Sequence, residues 1–277
     1  MALIVGGVAV LAAIGVFSFF FFFQLFSFIL NFKKKKLYFY RRSDSSRGVP
    51  LAHSNSISIA PSSSAVNNQF FRVTLAQLDL LLQQTGLIHV VTACISRLSV
   101  PEALETPGVF RESGSRQRVE QLLAQLSESP PLTAEDAASR LAGEDVRTVS
   151  SLFTYWLSEI PEPLVPAELC VALRNLSAQH QLGSPSFQSQ DWVPAVSVWM
   201  RSLPPVSQLV LRELLPLLSS IAAHAEVNKM TAQNLSIVLS PLILWCTSPS
   251  TIAADINLHA KIFQELISHS QSILSIH

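Results

Sequence analysis

The sequence predicts an all-α domain over residues 71–277, and three observations predict it. Apolar residues recur there at three- and four-residue steps, as they do along one face of a helix. No alternating stretch of useful length interrupts them. Helix-starting residues such as Thr133, Pro166 and Thr231 stand just ahead of several of the apolar stripes.

The elements follow in order. From Val73, Leu78, Leu81 and Leu82 form a first stripe, and Ile88, Val91, Ile95 and Leu98 a second. Val119, Leu122, Leu123 and Leu126 make the next. Thr133 with Asp136 has the spacing of a capping box opening a short helix. Val149, Leu152, Phe153, Trp156, Leu157 and Ile160 form one long stripe, which Pro161 closes because the residue before a proline leaves the helical region. Pro166 suits a first helical position, with Glu168 in the first turn and Leu169, Leu173 and Leu176 facing inward. Trp192, Val196, Trp199 and Leu203 mark a further helix. Val210 to Ile221 is dense enough to be central, with a kink expected at Pro216. Thr231 reads as an N-cap ahead of Leu235, Val238 and Leu239. Ile262, Leu266, Ile267, Ile273 and Leu274 complete the bundle. No internal repeat is present.

The region before residue 71 is different in kind. Residues 1–32 carry no charge, and Ala2 to Leu30 is almost unbroken Ala, Val, Leu, Ile and Phe. As a helix it would be about 45 Å long, where about 20 residues suffice to cross a bilayer. Lys33 to Lys36, Arg41 and Arg42 follow, and basic residues stay on the cytoplasmic side. The expectation is a single transmembrane anchor at 1–32, with everything after Lys33 in the cytosol. Two other readings stay open. One is a cleaved signal peptide, although nothing basic precedes the apolar core. The other is a misassigned start, since runs of Phe and Lys are what poly-T and poly-A tracts encode. Residues 33–70 read as a basic juxtamembrane segment and a Ser-rich flexible linker.

Composition narrows the function. The chain of 277 residues is 49% apolar with a mean hydropathy of +0.36, an excess that comes largely from residues 1–32. Beyond residue 42 it holds thirteen of the 19 Lys/Arg but all 19 Asp/Glu, a net charge of −6. A mildly acidic body argues against nucleic acid as a partner. Cys94, Cys170 and Cys246 are far apart and form no CxxC pair, so buried free thiols are expected rather than a zinc site or a disulfide framework. The sequence has no P-loop, GxGxxG, GxSxG or HExxH motif. Glu265 and His269 lie four apart on a helix face but lack a nearby third ligand. They read as a surface pair, and no metal is expected.

What remains is Arg111, in Gly108-Val109-Phe110-Arg111-Glu112-Ser113-Gly114. Two glycines bracket the loop, and Val109 and Phe110 can pin it to the core and leave the arginine outward. Downstream stand Ile160-Pro161-Glu162-Pro163-Leu164, then Asn228-Lys229-Met230-Thr231-Ala232-Gln233-Asn234-Leu235 running on to Ser240-Pro241. In this order, these segments resemble the Rho-family GTPase-activating domain (RhoGAP), over Val73 to His277.

The resemblance implies a RhoGAP-like helical bundle with no active site of its own. It would act on a GTP-bound Rho-family small GTPase, and GTP and Mg²⁺ would belong to that partner. Arg111 matches the family's G-[IV]-F-R-x-S-G arginine, a finger pushed into the GTPase nucleotide site. A planar guanidinium can donate to several phosphate oxygens at once. Asn234 matches the asparagine that contacts the GTPase near the finger, with a helix-terminal cap as its alternative role. The helix before the proline turn departs from the family's L-K-x-[FYW]-L-R-E-L-P. It reads Phe153-Thr154-Tyr155-Trp156-Leu157-Ser158-Glu159-Ile160-Pro161, with Thr154 for the usual Lys and Ser158 for the usual Arg. Both belong to the face that meets the GTPase in the family. A GTPase-binding module that does not accelerate hydrolysis is therefore the rival reading, and an unrelated helical scaffold a third.

Overall fold

The computed structural model of the protein describes residues 87–127, 133–160, 163–244 and 252–276, within one compact unit that spans Ser63–His277. The apolar segment 1–32, the segment 33–70, the stripe of Leu78, Leu81 and Leu82, the turn residues Pro161 and Glu162, and Cys246 lie outside the described residues.

All regular structure among the described residues is helical. The helices are α1 (Leu87–Leu98), α2 (Pro101–Glu105), α3 (Arg116–Ser127), α4 (Ala134–Ala142), α5 (Val146–Glu159) and α6 (Ala167–Gln179). They continue with α7 (Ser189–Arg201), α8 (Pro205–Ala223), α9 (Ala225–Asn228), α10 (Ala232–Ile243), α11 (Ile252–Ser268) and α12 (Ser270–Ser275).

The centre is α8, as its apolar density predicts. Val206, Val210, Leu211, Leu214, Leu215, Leu217, Leu218 and Ile221 are all buried, and the helix packs against α1, α2, α9, α10, α11 and α12. Among the described residues it is the one helix long and apolar enough to cross a membrane, but half of that stretch is buried inside the bundle. It runs on through Pro216 without a break. Proline frees the carbonyl four residues earlier. That residue is Arg212, which is exposed, so water can satisfy the carbonyl.

Local chemistry fixes most helix starts. Thr133 accepts from the Asp136 amide at 3.1 Å while Asp136 accepts from the Thr133 amide at 3.3 Å, a reciprocal cap on α4. Asp145 caps α5 through the Thr148 amide at 3.1 Å, and Thr231 caps α10 through the Asn234 amide at 3.1 Å. Pro166 falls one residue earlier than expected. It is the N-cap of α6, and its carbonyl accepts from the Cys170 amide at 2.8 Å. Two short helices, α2 and α9, leave no periodic trace in the sequence because four or five residues hold barely one repeat.

The thiols divide. Cys94 is free and fully buried, and burial pushes its pKa up to about 12, so it stays protonated. Cys170 departs from the expectation of a free thiol: it is disulfide-bonded.

Candidate functional site

The loop that carries Arg111 joins α2 to α3 and turns sharply. Gly108 has φ +68°, a conformation glycine adopts without cost. Phe110 has φ +67°, which is unusual for a bulky residue and costs roughly 1–2 kcal/mol. Burial outweighs that strain. The Phe110 ring is buried and meets Phe153 of α5 edge-on, centroids 6.2 Å apart, and Phe153 in turn packs on Trp156 at 6.1 Å. Burying a phenylalanine contributes about 1.5–3 kcal/mol. Val109 beside it is fully buried. With two consecutive side chains locked inward, Arg111 is left at the surface, as the sequence predicts.

Three structural elements hold this loop. The first is α5. Gly114 donates its amide to Ser151 Oγ at 2.9 Å, and the chain passes so close that a Cβ on Gly114 would sit 2.4 Å from the Thr148 amide nitrogen. Gly114→Ala must therefore lift the loop off α5, and we expect a loss of about 1–3 kcal/mol in stability. Denaturant unfolding checks this against Gly143→Ala, where nothing lies within 4 Å of the added carbon.

The second is Asn228, fully buried at the end of α9. Its carbonyl accepts from the Gly108 amide at 2.8 Å. Its side chain donates to Leu104 O at 2.6 Å and Ile221 O at 2.8 Å, and its Oδ1 accepts from the Met230 amide at 2.7 Å. One residue thus joins α2, the Arg111 loop, α8 and the segment leading to α10. Sequence reasoning quoted Asn228 within its motif but gave it no role.

The third is the first turn of α5. Arg147 donates to Pro107 O at 2.9 Å and pairs with Glu112 Oε2 at 3.0 Å. Further along the chain, Arg118 of α3 forks onto the Glu144 carboxylate, with Nε to Oε2 at 2.9 Å. The hydrogen bond to Glu144 raises the Arg118 pKa, burial opposes it, and the carboxylate's charge adds to the rise. Arg97 Nη2 donates to the Glu144 carbonyl at 2.9 Å.

Arg111 itself keeps a third of its side-chain surface open, and its Nη2 lies 3.9 Å from Glu112 Oε1. Asn234 reaches this region indirectly. Its Nδ2 donates to Lys229 O at 2.9 Å, beside Asn228, so its carboxamide fastens the start of α10 to the segment that holds Gly108. Lys229 has φ +60° and ends α9. Asn234 is thus the third residue of α10, and Thr231, rather than Asn234, is the cap.

Thr154 and Ser158 lie one turn apart on α5, half-buried. The Thr154 hydroxyl donates to its own helix at Ser150 O and Ser151 O, both 3.1 Å, and Ser158 to Tyr155 O at 2.7 Å. Each hydroxyl therefore spends its one proton internally and offers outward only an acceptor. Glu265 and His269 approach to 3.3 Å as an i,i+4 pair, and no group of three or more potential metal ligands occurs among the described residues.

The class defined here is an all-helical domain that presents one exposed arginine on a loop braced by α5, from its first turn onward, and by a buried asparagine. The RhoGAP domain matches residues 89–248, more than half of the chain. The chain belongs to that family. It is 30% identical over 201 residues to the GEM-interacting protein of Homo sapiens, a stretch that covers 68% of this chain and 20% of that protein. To Rho GTPase-activating protein 1 of Homo sapiens it is 27% identical over 202 residues, covering 73% of this chain and 43% of that protein. The chain thus spans less than half the length of these relatives. In fold it is similar to the crystal structure of human Rho GTPase activating protein 15, with a TM-score of 0.65 and 21% identity over 78% of this chain and 100% of that one. The BH domain from GRAF aligns with a TM-score of 0.54 and 21% identity, over 67% of this chain and 93% of that one.

Proposed function

We propose that this chain accelerates GTP hydrolysis by a GTP-bound Rho-family small GTPase, with Arg111 entering the partner's nucleotide site. The observation that carries the reading is the Arg111 loop: two inward-locked neighbours, Val109 and Phe110, hold an outward guanidinium on a base tied to α5, α8 and α9. Such an arginine meets the charge that develops on the phosphate oxygens during phosphoryl transfer. Supplied in trans, it is worth about 10³–10⁵ in rate, or roughly 4–7 kcal/mol. GTP and Mg²⁺ belong to the partner, and the domain has no reaction centre of its own. Asn234, placed beside the loop's anchor, is the second residue assigned to the partner's surface. The partner is cytosolic, so the domain works there, tethered to a membrane through residues 1–32.

A second reading, docking without acceleration, is favoured by Thr154 and Ser158, whose hydroxyl protons are both turned to their own helix. Single-turnover GTP hydrolysis by a panel of Rho-family GTPases, with and without this chain, separates the two. Acceleration of any member supports the first reading. Binding to the GTP-bound form without acceleration supports the second.

The same face yields a gain-of-function prediction. Thr154→Lys with Ser158→Arg restores two cations where the family carries them, and each charge-assisted contact is worth about 1.5–3 kcal/mol. We expect the double variant to bind the GTPase about tenfold more tightly by titration, because solvent screening roughly halves such contacts. Unchanged affinity and rate would mean that docking uses another face of the bundle.

A further inference from the structure

Arg147, Ser151, Thr154 and Ser158 stand at i, i+4, i+7 and i+11 on α5, so they form one stripe along the helix. All four are half-buried. Ser151 receives the Gly114 amide. Arg147, at the N-terminal end, is the one cation of the stripe. Its place is unfavourable for the helix alone, because a cation in the first turn opposes the helix dipole. Something outside the helix must hold it there, and two groups of the Arg111 loop do: Pro107 O at 2.9 Å and Glu112 Oε2 at 3.0 Å.

Glu112 is the immediate neighbour of Arg111. Its two carboxylate oxygens are divided between two arginines at unequal distances, 3.0 Å to Arg147 and 3.9 Å to Arg111. At 3.0 Å the two charges are in direct contact; at 3.9 Å the attraction is weaker. Without Arg147, the nearest cation for Glu112 would be Arg111, and a carboxylate bound there would compete with phosphate oxygens for the same guanidinium donors.

We propose that Arg147 is a positioning residue for the loop: it draws the Glu112 carboxylate off Arg111 and leaves that guanidinium open to a phosphate. This rests on Arg111 being the finger. It also gives the cation-poor stripe of α5 a role on the loop side of the interface, separate from the partner contacts missing at Thr154 and Ser158.

The test is a two-residue cycle in the full chain: Arg147→Ala, Glu112→Gln and the double variant. The glutamine amide keeps an oxygen to accept from Arg147 but has no charge to hold Arg111. An exposed ion pair of the Arg111–Glu112 kind shifts an equilibrium by about two- to fivefold. Arg147→Ala should therefore lower the maximal single-turnover rate about two- to fivefold, with the half-saturating concentration little changed. Glu112→Gln alone should leave the rate at or above wild type. The double variant should recover most of the loss, which a merely weakened fold would not do.

A second readout needs no GTPase. In the free protein, the Arg111 Nε–Hε signal in ¹⁵N NMR should shift and become more ordered in Arg147→Ala and return to the wild-type position in the double variant. An Arg111 signal indifferent to Arg147, or a double variant as slow as Arg147→Ala, overturns the proposal. A wild-type chain that accelerates no GTPase defeats the proposed function instead, while the NMR arm still decides whether Arg147 holds Glu112 away from Arg111.

Discussion

Arg111→Ala is expected to remove most of the acceleration of GTP hydrolysis, at least about 10³-fold, and to leave the fold almost unchanged. The asymmetry follows from the loop. The residues that bind it to the body are Val109, Phe110, Gly114, the Gly108 amide, and Pro107 and Glu112 through Arg147, none of which depends on the Arg111 side chain. The guanidinium's charge contact is with exposed Glu112 at 3.9 Å, which contributes little to stability. Arg111→Lys should rescue poorly, since an ammonium supplies the charge but not the planar fork. Single-turnover hydrolysis with saturating protein and a melting curve on the same sample make the check. Activation within about twofold of wild type in either variant would rule out Arg111 as the finger.

Asn228→Ala should be the most damaging single change to both fold and loop. It strands Leu104 O and the Met230 amide, now satisfied at 2.6 and 2.7 Å, and leaves Ile221 O with only the His224 amide. Losing one partner of a buried hydrogen bond costs about 1–3 kcal/mol, so the two together should cost about 2 kcal/mol or more. For a domain of this size that lowers Tm by about 4–8 °C. Because the same residue's carbonyl holds the Gly108 amide, acceleration should also fall at temperatures where the domain is still folded. Asn228→Asp refines the test. It has the same shape and keeps the acceptor for Met230, but faces Leu104 O and Ile221 O with a carboxylate. If Asn228→Asp behaves as wild type, those two donated bonds are not what anchors the loop.

Much of this bundle was legible in the sequence, and the illegible parts share a cause. The stripe from Val149 to Ile160, the capping box at Thr133 and the Thr231 cap are local patterns, and each appears as read. The Arg111 loop was legible for the same reason: its glycines and its two apolar residues are neighbours in the chain. Its braces were not. Arg147 meets Pro107 across 40 residues, and Asn228 meets Leu104 across 124. A buried asparagine holding three backbone groups has the same letter as one ending a helix in solvent. The self-directed hydroxyls of Thr154 and Ser158 were hidden in another way. Their positions were readable, but the direction of a hydroxyl proton depends on the carbonyls of the preceding turn.

The bond between Gly108 and Asn228 also sets an order in time. The Arg111 loop leaves the ribosome well before its anchor. At 5–20 residues per second, the 124 residues between Leu104 and Asn228 take about 6–25 s to make. Throughout that interval the loop lacks Gly108's acceptor, and closing so long a span carries an entropic cost that a nascent amino-terminal half cannot meet alone. A nascent or prematurely terminated chain that ends before α9 therefore displays the arginine without its working geometry. Only a chain extended past α9 can carry a shaped loop, so the role proposed for Arg111 has to wait until synthesis has passed that point.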